Sequence, residues 1–214
     1  IVAVTTEDLR LPNINPCPIH PSITGVILAG GRGTRMGGVD KGLVDVAGRL
    51  NVERVNVTLA AQVNRVIISA NRNIDAYKKY ARTVVSDQCG TGPLAGLLAA
   101  LHATDTDYIL GVPCDSPAPP DDLAARLYET LKRERVELCV AHDGLRLQPL
   151  FVLLSRTLTQ DLSDYLCAGE RRVTDWIARH RYAIADFSDQ PRAFMNMNAP
   201  CDRALLEHYL GDAE

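Results

Sequence analysis

The stretch from Ile23 to Gly42, ITGVILAGGRGTRMGGVDKG, constrains this chain more than any other. Its apolar run Val26-Ile27-Leu28-Ala29 has the length of a buried strand, and the glycines that follow punctuate a turn. Glycine accepts positive φ and lets another group approach the backbone, and such a loop aims several N–H groups one way, which is how proteins cradle phosphate. Arg32, Arg35 and Lys41 add three cations, and no acid in the loop precedes Asp40. The loop is suited to a polyanion.

Spacing narrows the choice of polyanion. The Walker pattern ends in Gly-Lys-Ser/Thr, whereas Lys41 is followed by Gly42. The dinucleotide fingerprint G-x-G-x-x-G fails as well, because Met36 stands where the last glycine belongs and Gly37 comes one place late. What remains is L-A-G-G-x-x-x-R-M-G followed by D-K-G, running from Leu28 to Gly42. This pattern resembles the nucleotidyltransferase signature of the pyrophosphorylase superfamily. With its Gly30-Gly31 doublet and Gly38-Val39-Asp40-Lys41-Gly42, it is most similar to the molybdenum cofactor guanylyltransferases.

Downstream, apolar strand-length runs alternate with helical patterns. Arg65–Asn71, Thr83–Asp87 and Tyr108–Val112 read as strands, and each leads into small or acidic residues. Leu43–Gly48 reads as a short strand or extended piece, and a helix is expected over about Val52–Gln62. Ile74–Ala81 suits a short helix, Gly92-Pro93-Leu94-Ala95-Gly96 opens another, and Asp121-Asp122 caps a third. Two further strands flank the turn Asp143-Gly144, and helices over Leu158–Leu166, Val173–Arg179 and Ala204–Tyr209 follow, with a late strand at Tyr182–Phe187. The expectation is an α/β fold: a three-layer αβα sandwich around an open, mostly parallel sheet that binds its ligand along the carboxyl edge. At 214 residues one domain over 23–214 is expected, preceded by a flexible extension over 1–22 with four prolines from Pro12 to Pro21.

A net charge of −3 argues against a general nucleic-acid binder, and no apolar run reaches membrane-spanning length. The six cysteines lie more than twenty residues apart with no C-x-x-C, so neither a zinc cluster nor a disulfide framework is expected. Reduced thiols fit a cytoplasmic protein. Cys114 adjoins Asp115, but nothing nearby in sequence would activate it.

Asp115 ends an apolar strand inside P-C-D-S-P. A carboxylate there needs a cation or a metal, and beside a phosphate loop it suits Mg²⁺. Asp87 either shares that ion or accepts from ribose or base, with an Asx-turn as its structural alternative. The resemblance implies a nucleotide site of Leu28, Ala29, Gly30, Gly31, Lys41, Ser69, Asn71, Asp87, Gly92 and Asp115, with Lys41, Arg35 and Asp115 assisting catalysis. Ser69 replaces the asparagine usual in that family, leaving Asn71 or a backbone group as the substitute. Gln148, Arg171, Arg172, Asn196 and Asn198 resemble the family's molybdopterin side. The family's usual Gly-Lys/Arg-Pro-Leu is absent, since Leu50-Asn51 follow Arg49 and the helix-start proline is missing.

The implied activity is transfer of GMP from GTP to molybdenum-molybdopterin with release of pyrophosphate. Proteins that deliver and receive the cofactor are its implied partners. The rivals are a molybdopterin cytidylyltransferase, a sugar-phosphate nucleotidyltransferase and a non-catalytic nucleotide-binding protein. The Gly30-Gly31 doublet leans towards guanine, because the cytidylyl relatives usually show Ala-Gly.

Overall fold

A computed structural model describes residues 22–31, 38–87 and 92–197. Residues 1–21 of the expected extension and the helix expected at Ala204–Tyr209 lie outside the described residues. Seven strands form one sheet: β1 (Ile23–Leu28), β4 (Arg65–Ser69), β5 (Thr83–Val85), β6 (Tyr108–Pro113), β7 (Leu138–His142), β8 (Leu147–Ser155) and β9 (Ala183–Asp186). Their order is β5-β4-β1-β6-β8-β7-β9, and β8 alone runs against the rest. The expected mostly parallel sheet is present.

Alternation along β1 builds both faces of the core. Ile23 and Ile27 pack with α1 (Asn51–Ala60) and α4 (Leu123–Glu134) through Val52, Val55, Leu59, Leu123 and Leu127. On the other face Val26 and Ile109 meet α3 (Pro93–His102), α5 (Thr159–Cys167) and α6 (Val173–Ala178) through Leu97, Leu101, Leu162 and the fully buried Trp176. This is the three-layer sandwich.

Three local expectations are corrected. Leu43–Gly48 is not one strand: a 3-10 turn over Lys41–Leu43 leads into a hairpin of β2 (Asp45–Val46) and β3 (Arg49–Leu50). Ala47 and Gly48 both take positive φ, 50° and 76°, the geometry of a two-residue hairpin turn. Arg54 reinforces it by donating to the carbonyls of Val46 and Ala47. Second, α2 spans only Ile74–Tyr77. Third, Asp122 stands at the start of α4 but makes no side-chain cap, because Arg126 one turn on captures its carboxylate. The missing proline leaves α1 intact: its backbone enters at Leu50 with φ −69°, and Asn51 donates its N–H to Val44 O at 3.0 Å.

Candidate active site

Pairing brings four strand ends into one row. Leu28 lies opposite Ser69 on one side and Pro113 on the other, and Ser69 lies opposite Val85. Two residues beyond each end come Gly30, Asn71, Asp87 and Asp115. Parallel strands thus deliver residues distant in sequence to one edge, where open α/β sheets bind ligands.

A cleft of about 310 Å³ opens there. Leu28, Ala29, Gly30, Gly31 and Lys41 line it together with Ser69, Asp87, Gly92, Gly96, Cys114 and Asp115. Lys41 Nζ donates to Asp115 Oδ2 at 2.8 Å, with both side chains mostly buried. Asn71 brackets Asp87: its amide donates to Oδ2 at 2.8 Å and its carbonyl accepts the Asp87 N–H at 2.9 Å. The Ser69 hydroxyl adds a longer bond of 3.4 Å to Oδ1. Burial pushes the Asp87 carboxyl above its ordinary range, and the Asn71 and Ser69 bonds restrain that rise. Cys114 lines the cleft, but burial, followed by the charges of Asp115 and Asp40, pushes its thiol far up, so it remains protonated.

Asp40, directly before Lys41, has 8% of its side chain exposed. The Tyr77 hydroxyl donates to its Oδ1 at 2.5 Å and the Asn73 amide to its Oδ2 at 2.9 Å, while Arg72 Nε lies 3.6 Å from Oδ2. Gly42 makes room for this contact, since a Cβ there would run into the Tyr77 hydroxyl. Asn51 secures the next carbonyl, donating to Lys41 O at 2.9 Å. Sequence reasoning did not find Arg72, Asn73 or Tyr77. An arginine directly after Asn71 at a strand end was the available signal.

A second cleft of about 280 Å³ adjoins the first, and Pro113 and Leu150 belong to both. Gln148 and Asn196 line it. Asp143 holds the Gln148 amide at 2.6 Å, and Ser116 bonds the Asn196 side chain. Met197 N–H donates to Asp115 O at 2.8 Å, tying that segment to the first cleft. Arg171 donates instead to Leu166 O and Glu170 O, and Arg172 Nη1 lies 3.9 Å from Asp175 Oδ2; neither is among the residues lining the two clefts. Arg35 and Asn198 lie outside the described residues.

An open α/β sheet with a glycine loop after its first strand, a lysine–aspartate pair and an adjoining second cleft defines a nucleotidyltransferase-type site. Residues 25–184 match the MobA-like NTP transferase domain, and the chain belongs to that family. It is 44% identical over 194 residues to a molybdenum cofactor guanylyltransferase of Shewanella pealeana, covering 90% of this chain and 97% of that protein. A homologue of the same name from another Shewanella is 47% identical over 186 residues, covering 86% and 94%. A crystal structure of molybdopterin-guanine dinucleotide biosynthesis protein A from Archaeoglobus fulgidus superposes with a TM-score of 0.75 at 19% identity, covering 88% of this chain and 99% of that one. At that identity the likeness speaks for the fold.

Proposed function

We infer that this chain transfers GMP from GTP to molybdenum-molybdopterin, releasing pyrophosphate. The observation that carries the reading is the Lys41–Asp115 pair in the glycine-lined cleft, beside a second cleft that shares Pro113 and Leu150 with it. The first cleft suits the nucleotide and the second the acceptor, so the shared wall is where the acceptor phosphate meets the α-phosphorus. The relatives named molybdenum cofactor guanylyltransferase support guanine as the base and molybdopterin as the acceptor.

In this reading Lys41 and the loop backbone hold the triphosphate, and their positive charge stabilises the pyrophosphate as it leaves. Asp87, steadied by Asn71, accepts from the base or ribose. Gln148 and Asn196 orient the pterin. The incoming phosphate is already nucleophilic at neutral pH, so no side chain needs to remove a proton.

Asp115 suits Mg²⁺ in donor type, an oxygen ligand facing a phosphate site. Among the described residues no cluster of three or more acidic, histidine or cysteine side chains forms a closed cage, and magnesium commonly uses one or two carboxylates plus substrate phosphates. When bound it would neutralise charge on the triphosphate. No helix among the described residues is long and apolar enough to cross a membrane, and the free thiols of Cys114, Cys139 and Cys167 support a cytoplasmic setting. The proteins that deliver molybdopterin and receive the finished cofactor are the expected partners.

The test is pyrophosphate release with each of the four nucleoside triphosphates, molybdenum-loaded molybdopterin and Mg²⁺. Release with GTP is expected. Release with CTP and not GTP overturns the base assignment, and nucleotide binding with no release by any of the four overturns the catalytic one.

A further inference from the structure

We propose that Arg72 is a positioning residue for the triphosphate, holding Gly31 and Gly38-Val39 together from outside the cleft. The proposal rests on the nucleotidyl-transfer reading above and deepens it. Arg72 follows Asn71 in the turn between β4 and α2 and is not among the residues lining the cleft. Its Nη2 donates to Gly31 O and Val39 O at 3.0 Å each, and its Nη1 to Gly38 O at 2.7 Å. Gly31 leads into the loop and Gly38-Val39 lead out of it, so one guanidinium ties the two sides together. Glycine-rich backbone has much conformational freedom to lose, and a rigid fork of donors can hold several carbonyls at once.

The brace has a directional consequence. A trans peptide sets its N–H opposite its C=O. With the Gly38 and Val39 carbonyls turned to Arg72, the N–H groups of Val39 and Asp40 face away from it. Asp40 is then gripped by Asn73, Tyr77 and the Arg72 ion pair, and Lys41 O by Asn51. The backbone that carries Lys41 is therefore fixed from both sides before any phosphate binds. The adjacent Asn71 points its bonds to Asp87 instead. Neighbouring residues of one turn thus serve different halves of the nucleotide, Asn71 the base or ribose and Arg72 the phosphates.

This division is tested by calorimetric titration of the full chain with GTP and with GMP in the presence of Mg²⁺. Arg72→Ala is expected to weaken GTP by about tenfold or more while GMP changes by no more than about twofold. Arg72→Lys keeps the charge but not the fork, and is expected to remain weakened for GTP by about fivefold. Asn71→Ala is expected to weaken both ligands by a similar factor. Equal losses for GTP and GMP in Arg72→Ala, or unchanged GTP affinity, overturn the proposal. Full recovery in Arg72→Lys overturns the brace in favour of charge alone. If Arg72→Ala does not melt as a folded protein, Arg72→Lys carries the comparison. Should the parent chain prefer another base, the triphosphate-to-monophosphate ratio is taken with that base, so an error in the base leaves the test of Arg72 standing.

Discussion

Lys41 and Asp115, 74 positions apart in the chain, meet at 2.8 Å where β1 and β6 end side by side. Each sets the electrostatic surroundings of the other, so their contributions to turnover should not add. Asp115→Ala is expected to lower pyrophosphate release at least about a hundredfold. Its melting temperature should stay within about 5 °C of the parent. Lys41→Met combined with Asp115→Asn should lose less than the product of the single losses. Normal turnover in Asp115→Ala would remove that carboxylate from the metal and phosphate site.

If Asp87 accepts from the base or ribose as proposed, nucleotide binding is expected to be sensitive to acid. Burial raises its folded pKa, so between the ordinary aspartate value and the raised one the folded chain holds more protons than the unfolded chain. Asp87 therefore costs stability as pH rises through that window. Binding has the opposite preference, since an accepting carboxylate must be ionised. GTP affinity should fall as pH is lowered towards the ordinary aspartate range, with the fall beginning above that range. Asp87→Asn should flatten that acid limb; an unchanged pH profile in this variant would assign the limb to another group.

Asp143 supports the second cleft from behind. Burial works to raise its pKa, but the N–H groups of Arg146 and Leu145, the Gln148 amide and the Arg146 charge outweigh it and hold the carboxyl below its ordinary range. Its stabilisation is present above the unfolded pKa and is lost as pH falls through the lowered folded value. Asp143→Ala should cost about 1–3 kcal/mol in denaturant unfolding. It should also raise KM for molybdenum-molybdopterin several-fold and leave KM for GTP unchanged. A matching rise in both KM values would refute a role specific to Gln148.

Leu50→Pro should stabilise the chain. Leu50 has φ −69° and ψ 145°, compatible with proline, and precedes the first residue of α1. Bonded pairs alternate in an antiparallel ladder, and the Asn51 N–H takes the bond to Val44 O, so Leu50 faces Asp45 in a non-bonded pair. The gain expected from a stiffer unfolded chain is about 0.4–1 kcal/mol, less whatever packing the partly buried leucine supplies. A lower denaturation midpoint would show that this packing dominates.

Much of the site was legible because its residues end apolar runs. Leu28–Gly31, Ser69–Asn71, Asp87 and Asp115 all follow strand patterns that period and punctuation reveal, the family resemblance marked them as a nucleotide site, and parallel pairing brings their strand ends together. The brace around Asp40 was not legible. Arg72 and Tyr77 act through contacts with residues more than thirty positions away, and nothing in local spacing marks an arginine that binds carbonyls. Asp122 misled for a related reason: its position suits a cap, but Arg126 outcompetes the backbone for its carboxylate. The Ala47-Gly48 hairpin was missed because alanine is not a residue that announces positive φ.

The wall that Pro113 and Leu150 share has a kinetic consequence. In the proposed reaction the finished dinucleotide would lie across it, with its nucleotide end in one cleft and its pterin end in the other. Once one end lets go, the other keeps it near at high effective concentration, so rebinding competes with escape. Rapid mixing should then show a burst of pyrophosphate followed by a slower steady rate, with departure of the joined product, and not bond formation, pacing the cycle.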